Sequence, residues 1–150
     1  VEQAMPTDLI PRAIEASEWD LVSRGVRQRV LALEAFLADV YGAGEAFDDG
    51  VVPWRLAFAS GEFRREVAGF APPNGVRVHV AGIDLVRDEQ GTFRVLEDNV
   101  RVPSGVREVI ENRLATTRVF PALRDGHRFH QVGEYPSRLL AALRAAAPHG

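Results

Sequence analysis

Apolar residues Val22, Val26, Val30, Leu33, Leu37 and Val40 recur every three or four positions, the spacing that lines one face of an α-helix. Ser17, followed three residues later by Asp20, resembles a capping box with Asp in place of Glu, and Gly42 offers a C-terminal stop. The pattern therefore predicts a helix over about residues 18 to 41. Arg24, Arg27 and Arg29 spread around its outer faces and are expected to be solvated. Before it, residues 1–16 are interrupted by Pro6 and Pro11 and read as an irregular lead-in. After it the signals are mixed. Asp48-Asp49-Gly50 is a turn, Trp54, Leu56 and Phe58 alternate like a short strand, and Pro72-Pro73-Asn74-Gly75 is a breaker.

Residues 76–86 and 92–99 are rich in branched apolar side chains and flank the polar stretch 87–91, so they predict an antiparallel hairpin. Pro103-Ser104-Gly105 ends it. Val106, Val109, Ile110, Leu114 and Thr117 then predict a helix of about 105 to 118 with Ser104 as its N-cap, and another is expected from Ser137 to about residue 147. The fold class read from this order is α+β: an antiparallel sheet with flanking helices. It forms one domain or domain fragment over 1–150, with a helical lead-in region over 1–75 and the hairpin and its succeeding helices over 76–150.

The hairpin makes a statement about faces. If its loop holds an even number of residues, Asp84 lies opposite Val95, and Asp84, Glu97 and Asn99 share one face. Asp84 and Glu97 are then diagonal neighbours about 7 to 8 Å apart. A single-residue bulge in the turn would instead put Asp84 on the other face. Two carboxylates and an amide oxygen on one face are the hard ligands that magnesium takes in a nucleotide site, and like charges held close call for a cation. The same residues on an exposed sheet face would need no such explanation.

A chain of 150 residues, 46% apolar, supports one modest core. Its 18 basic and 21 acidic residues include no basic block that would track a nucleic-acid backbone. All the basic residues are arginine. With no cysteine there is neither a disulfide framework nor a thiolate zinc site, which fits a reducing compartment, and the cytoplasm is the default reading. No apolar run approaches the roughly 18 residues of a membrane span, and the first residues lack the features of a signal peptide. His79, His127, His130 and His149 form no nucleophile-base pattern; His127 and His130, three apart, read as a surface pair. The chain opens on Val1 and stops just after a helical segment, as expected of a piece of something longer.

The string Gly82-Ile83-Asp84-Leu85-Val86-Arg87, a short turn, then Phe93-Arg94-Val95-Leu96-Glu97-Asp98-Asn99-Val100-Arg101-Val102-Pro103-Ser104-Gly105 resembles the circularly permuted ATP-grasp proteins, among them ligases similar to glutathionylspermidine synthase. The resemblance extends to Glu111-Asn112-Arg113 and Phe120-Pro121, and back to Ile10-Pro11-Arg12, Gln28-Arg29-Val30, Asp39-Val40-Tyr41-Gly42 and Asp49-Gly50-Val51-Val52-Pro53. It covers nearly the whole chain, as the N-terminal part of a larger permuted enzyme. An Asp with Glu-x-Asn thirteen residues later is also the general metal pattern of ATP-grasp folds.

The resemblance implies that Asp84, Glu97 and Asn99 hold magnesium ions bridging the phosphates of ATP, with Glu97 thereby also binding the nucleotide. Leu96 becomes a candidate floor for the adenine, although strict alternation puts it on the opposite face. Arg101 would stabilise the terminal phosphate or an acyl-phosphate through its bidentate fork, or is a surface arginine. Ser104 and Gly105 would donate backbone N–H groups to an anion, or Ser104 is simply a cap. The implied reaction activates a carboxylate with ATP as an acyl-phosphate, which an amine or other nucleophile attacks; peptide-like substrates fit that class. ATP-grasp enzymes also use lysines, absent here, so the rest of the pocket is expected from residues beyond 150. Val106-Arg107-Glu108-Val109 departs from the aromatic-containing pattern expected after Pro-Ser-Gly. Two rivals remain: a metal-dependent nuclease, for which Asn99 stands where a lysine is needed, and a non-enzymatic interaction module with a structural hairpin.

Overall fold

The computed structural model describes residues 10–126 and 128–147; His127 and His149 lie outside them. Among the described residues the chain folds as helix α1 (Ala16–Val40), α2 (Glu45–Asp48), α3 (Trp54–Ala59), the hairpin β1 (Gly82–Arg87) and β2 (Phe93–Asn99), then α4 (Val106–Val119), α5 (Ala122–Gly126) and α6 (Tyr135–Ala146). Short 3-10 turns at Arg65–Val67 and Pro73–Gly75 punctuate the stretch before the hairpin. The fold class is α+β.

The long helix forms on the predicted stripe: Val22 is buried and Val26, Val30, Leu33, Leu37 and Val40 are half-buried, whereas Leu21 and Leu31 off the stripe are exposed. Its start is earlier than the sequence suggested. Glu15, not Ser17, is the N-cap, and Glu18 rather than Asp20 closes the turn by accepting the Glu15 N–H at 2.9 Å. A longer carboxylate reaches back to the cap backbone more easily than Asp does.

Trp54, Leu56 and Phe58 are helical, not a strand. Aromatic stacking decides it: one helical turn brings the Trp54 and Phe58 rings to 5.2 Å, nearly parallel, and the other edge of the stack is the buried Phe47, 4.0 Å from Trp54. Phe58 meets Phe63 edge-on, and Phe63 stacks on Tyr41 at the end of α1, so an aromatic run fastens this segment to the long helix.

Residues 76–81 are not part of the sheet, which starts at Gly82. They are held instead by Glu34 of α1, whose two carboxylate oxygens accept the N–H groups of Arg77 and Val78, each at 2.8 Å. A side chain thus replaces a partner strand. Ser104 caps nothing: Gly105, in left-handed backbone (φ 91), is the N-cap of α4, and no side chain caps it. Helix α6 begins two residues before the expected Ser137, with Pro136 in its first turn, and its Ala145 carbonyl accepts the Asn74 side chain at 3.0 Å.

Among the described residues the buried hydrophobic ones are Val22, Phe47 and Val78. The accessible surface is 12434 Å², where a compact monomer of this mass exposes about 7,600 Å². The elements therefore touch along narrow seams, and the seam between α1 and the hairpin positions the candidate site.

Candidate functional site

The loop between β1 and β2 is odd, not even. The Asp88 N–H donates to the Thr92 carbonyl at 3.0 Å and the Gly91 N–H to the Asp88 carbonyl at 2.9 Å, leaving Glu89, Gln90 and Gly91 as the loop. Gly91 takes φ 79, a left-handed value at which a side chain would strain the last position of a three-residue hairpin loop. The Asp88 side chain stiffens the loop by accepting the N–H groups of Gln90 and Thr92 and the Arg94 Nε–H at 2.8 Å. The Arg94 guanidinium first, then the Thr92 N–H, hold the Asp88 carboxyl below the usual carboxylate range.

An odd loop alone would separate the two carboxylates, but a second irregularity cancels it. Arg87 pairs with Phe93, Val86 with Arg94 and Leu85 with Val95; then the register shifts, and Asp84 pairs with Glu97, Ile83 with Asp98 and Gly82 with Asn99. Leu96 is the bulged residue, without a partner and 71% exposed. Asp84 and Glu97 are therefore directly opposite each other rather than diagonal, with Cβ atoms at the roughly 4.5 to 5.5 Å of a facing pair. Asn99, two residues on, shares their face.

That face is turned away from α1. Asp84 and Glu97 are exposed and Asn99 is half-buried. Among the described residues, neither carboxylate has a hydrogen-bond or ion-pair partner for its side chain. Opposite Asn99, a Cβ on Gly82 would lie 2.8 Å from the Pro103 Cβ, so glycine is what lets the chain leaving β2 fold back over the end of the face. No group of three His, Asp or Glu gathers among the described residues, and the donor set is two facing carboxylates and one amide. Hard oxygens, unneutralised repulsion and open sides suit a divalent cation that keeps water and phosphate ligands.

The opposite face carries contacts the sequence did not disclose. Asp98, between Glu97 and Asn99, points to α1, where Arg29 grips it through two bonds, Nε to Oδ1 and Nη2 to Oδ2, both 2.6 Å. The Asp98 side chain is only 19% exposed. The Arg29 hydrogen bond holds the Asp98 carboxyl below its usual range, and Asp98 in turn raises Arg29. Arg87 on β1 pairs with Glu18 of α1 at 2.8 Å. Arg29 was thus not merely solvated; a charged Asp on the covered face of a strand was the one signal that a cation must meet it. Arg24 and Arg27 are exposed, as expected.

Arg101 is exposed and pairs with Glu62 at 2.7 Å. Ser104 and Gly105 are both exposed where α4 begins. His130 lies beside Trp19, ring centroids 6.1 Å apart.

Residues 11–150 match the family described as "A circularly permuted ATPgrasp", and the chain belongs to that family. Its two-stranded antiparallel hairpin with flanking helices is thus a part of an ATP-grasp fold. An uncharacterised protein of Mycobacterium leprae is 56% identical over 97% of this chain and 26% of its own length. One of Synechocystis is 43% identical over 99% of this chain and 31% of its own. A Frankia alni protein named "Putative glutamate--cysteine ligase 2-3" is 45% identical over 95% of this chain and 17% of its own length. The chain spans about a quarter of the mycobacterial relative it matches. Among the described residues no helix is long and apolar enough to cross a membrane.

Proposed function

We propose that this chain supplies the magnesium-nucleotide hairpin of an ATP-dependent ligase that joins a carboxylate to an amine or another nucleophile. The observation that carries the reading is the direct opposition of Asp84 and Glu97, with Asn99 beside them and no cationic side chain among the described residues to neutralise them, in a member of the permuted ATP-grasp family. The name of the Frankia relative points to the same bond-forming class. Peptide-like acids and amines are the substrates we favour, and the ATP-rich cytoplasm is the compartment.

Asp84, Glu97 and Asn99 would hold the cation, which supplies charge neutralisation of the nucleotide phosphates. The bulge lifts Leu96 out of the ladder as an exposed apolar surface on which an adenine can lie. Arg101 exchanges Glu62 for a phosphate oxygen, and the backbone N–H groups at Ser104 and Gly105 offer further donors. In the reaction, a carboxylate oxygen of the substrate takes the terminal phosphoryl group and ADP leaves; the nucleophile then displaces phosphate from the acyl-phosphate. The contribution of these residues is position and charge, not covalent chemistry.

Calorimetric titration of magnesium-ATP into the full-length polypeptide, beside Glu97→Ala and Asn99→Ala, tests the reading. Magnesium-dependent binding that both substitutions abolish supports it. Binding that survives them, or no binding in the parent, leaves the hairpin structural and favours the interaction module.

A further inference from the structure

We propose that Arg29 of α1 is a positioning residue: by gripping Asp98 it locks β2 in the bulged register that stands Glu97 and Asn99 on the face of Asp84, an inference that rests on the magnesium reading of that face only for its functional consequence. At Leu96 the pairing of the ladder steps by one residue, so the segment 97–99 is separated from the loop-proximal half of the hairpin by an unpaired position. Nothing in the loop fixes the register of β2 beyond the bulge. A slip that absorbs Leu96 into the ladder would put it across from Asp84 and turn Glu97 and Asn99 toward α1, because a one-residue slip exchanges the two faces of a strand. Asp98 would turn outward at the same time.

Arg29 discriminates between those registers. Its fork closes on both Asp98 oxygens at 2.6 Å, which is possible only when Asp98 points to the helix. A second tie joins the hairpin to the same helix. Glu18 and Arg29 are eleven residues apart on α1, about 16 Å along a helix and nearly a whole number of turns, so both project from one flank. Glu18 holds Arg87, and Asp98 pairs with Ile83, four residues from Arg87 along β1, about 13 Å when extended. The long side chains take up the difference, and both ties reach the one helix only with Arg87 and Asp98 on the same face, the arrangement the bulge creates. Among the described residues the Arg29 side chain has its hydrogen bonds with Asp98 and none with the outer face, so its influence there runs through Asp98.

The test has two independent readouts in the full-length polypeptide. Oxidative cross-linking reports the register without metal: the pair Asp84→Cys with Glu97→Cys closes a disulfide in the native register, and Asp84→Cys with Leu96→Cys closes one in the slipped register, each assigned by peptide mapping. Arg29→Gln is expected to move cross-linking from the first pair to the second, and the exchange Arg29→Asp with Asp98→Arg to restore the first. Manganese affinity in the presence of ATP, read by electron paramagnetic resonance, is expected to fall by about 10- to 100-fold in Arg29→Gln, to recover in the exchange, and to stay unchanged in Arg24→Gln, an exposed arginine of the same helix. A lower melting temperature in Arg29→Gln with the native cross-link retained would overturn the proposal. A shifted cross-link with manganese binding unaltered or absent would uphold the register lock and sink the magnesium reading instead.

Discussion

Asp84 and Glu97 face each other directly across the hairpin, although an odd loop stands between their strands, because the bulge at Leu96 supplies a second odd residue. Two departures from regular pairing restore the parity that one would destroy. The outer face thereby carries two carboxylates side by side, without a side-chain partner among the described residues, an arrangement unfavourable for the hairpin by itself.

Relief of that repulsion should be measurable. Glu97→Gln is expected to stabilise the metal-free protein by about 0.2 to 1 kcal/mol while removing the thermal shift that magnesium-ATP gives the parent. Denaturation curves with and without magnesium-ATP check both halves; a destabilised Glu97→Gln protein would mean the carboxylate is held by something other than a cation.

Deletion of Leu96 regularises the ladder without changing which residues face each other, since Val95 and Glu97 already pair with consecutive residues of β1. Manganese affinity should stay within about threefold of the parent, and ATP affinity should fall if the adenine rests on this side chain. Equal losses of both would show that the bulge shapes the metal face itself.

Arg101 is occupied by Glu62. Glu62→Gln should free it and raise affinity for the nucleotide by a few fold, whereas Arg101→Ala should weaken nucleotide binding and leave manganese binding alone unchanged. Titrations with ATP and with manganese separate the two, and an Arg101→Ala protein that binds ATP normally would return Arg101 to the surface.

Acid should loosen the loop. The Asp88 carboxyl is depressed in the folded protein by Arg94 and by the Thr92 and Gln90 N–H groups, so its folded value lies below its unfolded one. Its stabilisation is therefore complete above the ordinary Asp value of about 3.9 and is lost as pH falls through the lower folded value. Melting temperatures from pH 7 down to pH 2 should converge for the parent and Asp88→Asn at the acid end, with the parent ahead at neutral pH.

Phe47 is among the few buried side chains of the described residues and anchors the aromatic run through Trp54. Phe47→Ala is expected to cost about 3 to 5 kcal/mol, read from chemical denaturation, whereas Phe58→Ala, half-exposed farther along the run, should cost less.

Local rules made much of this protein legible. The stripe from Val22 to Val40, the hairpin, and helices α4 and α6 derive from periodicities of 3.6 and 2, which a sequence states outright, and the same alternation put Asp84, Glu97 and Asn99 on one face on the condition of an even loop. The predicted face came from an even loop, however, and the observed one from two compensating odd residues, so the sequence supplied the alternation and the structure supplied the register. Trp54 to Phe58 went the other way: five residues fit a strand or a helical turn equally well, and only the rings of Phe47 and Phe63, distant from the local pattern, chose the helix. Arg29 with Asp98, Glu18 with Arg87, and Glu34 with the 77–78 backbone were decided by tertiary structure alone, because a charge carries no mark of a partner some seventy or forty residues away until packing brings the two together.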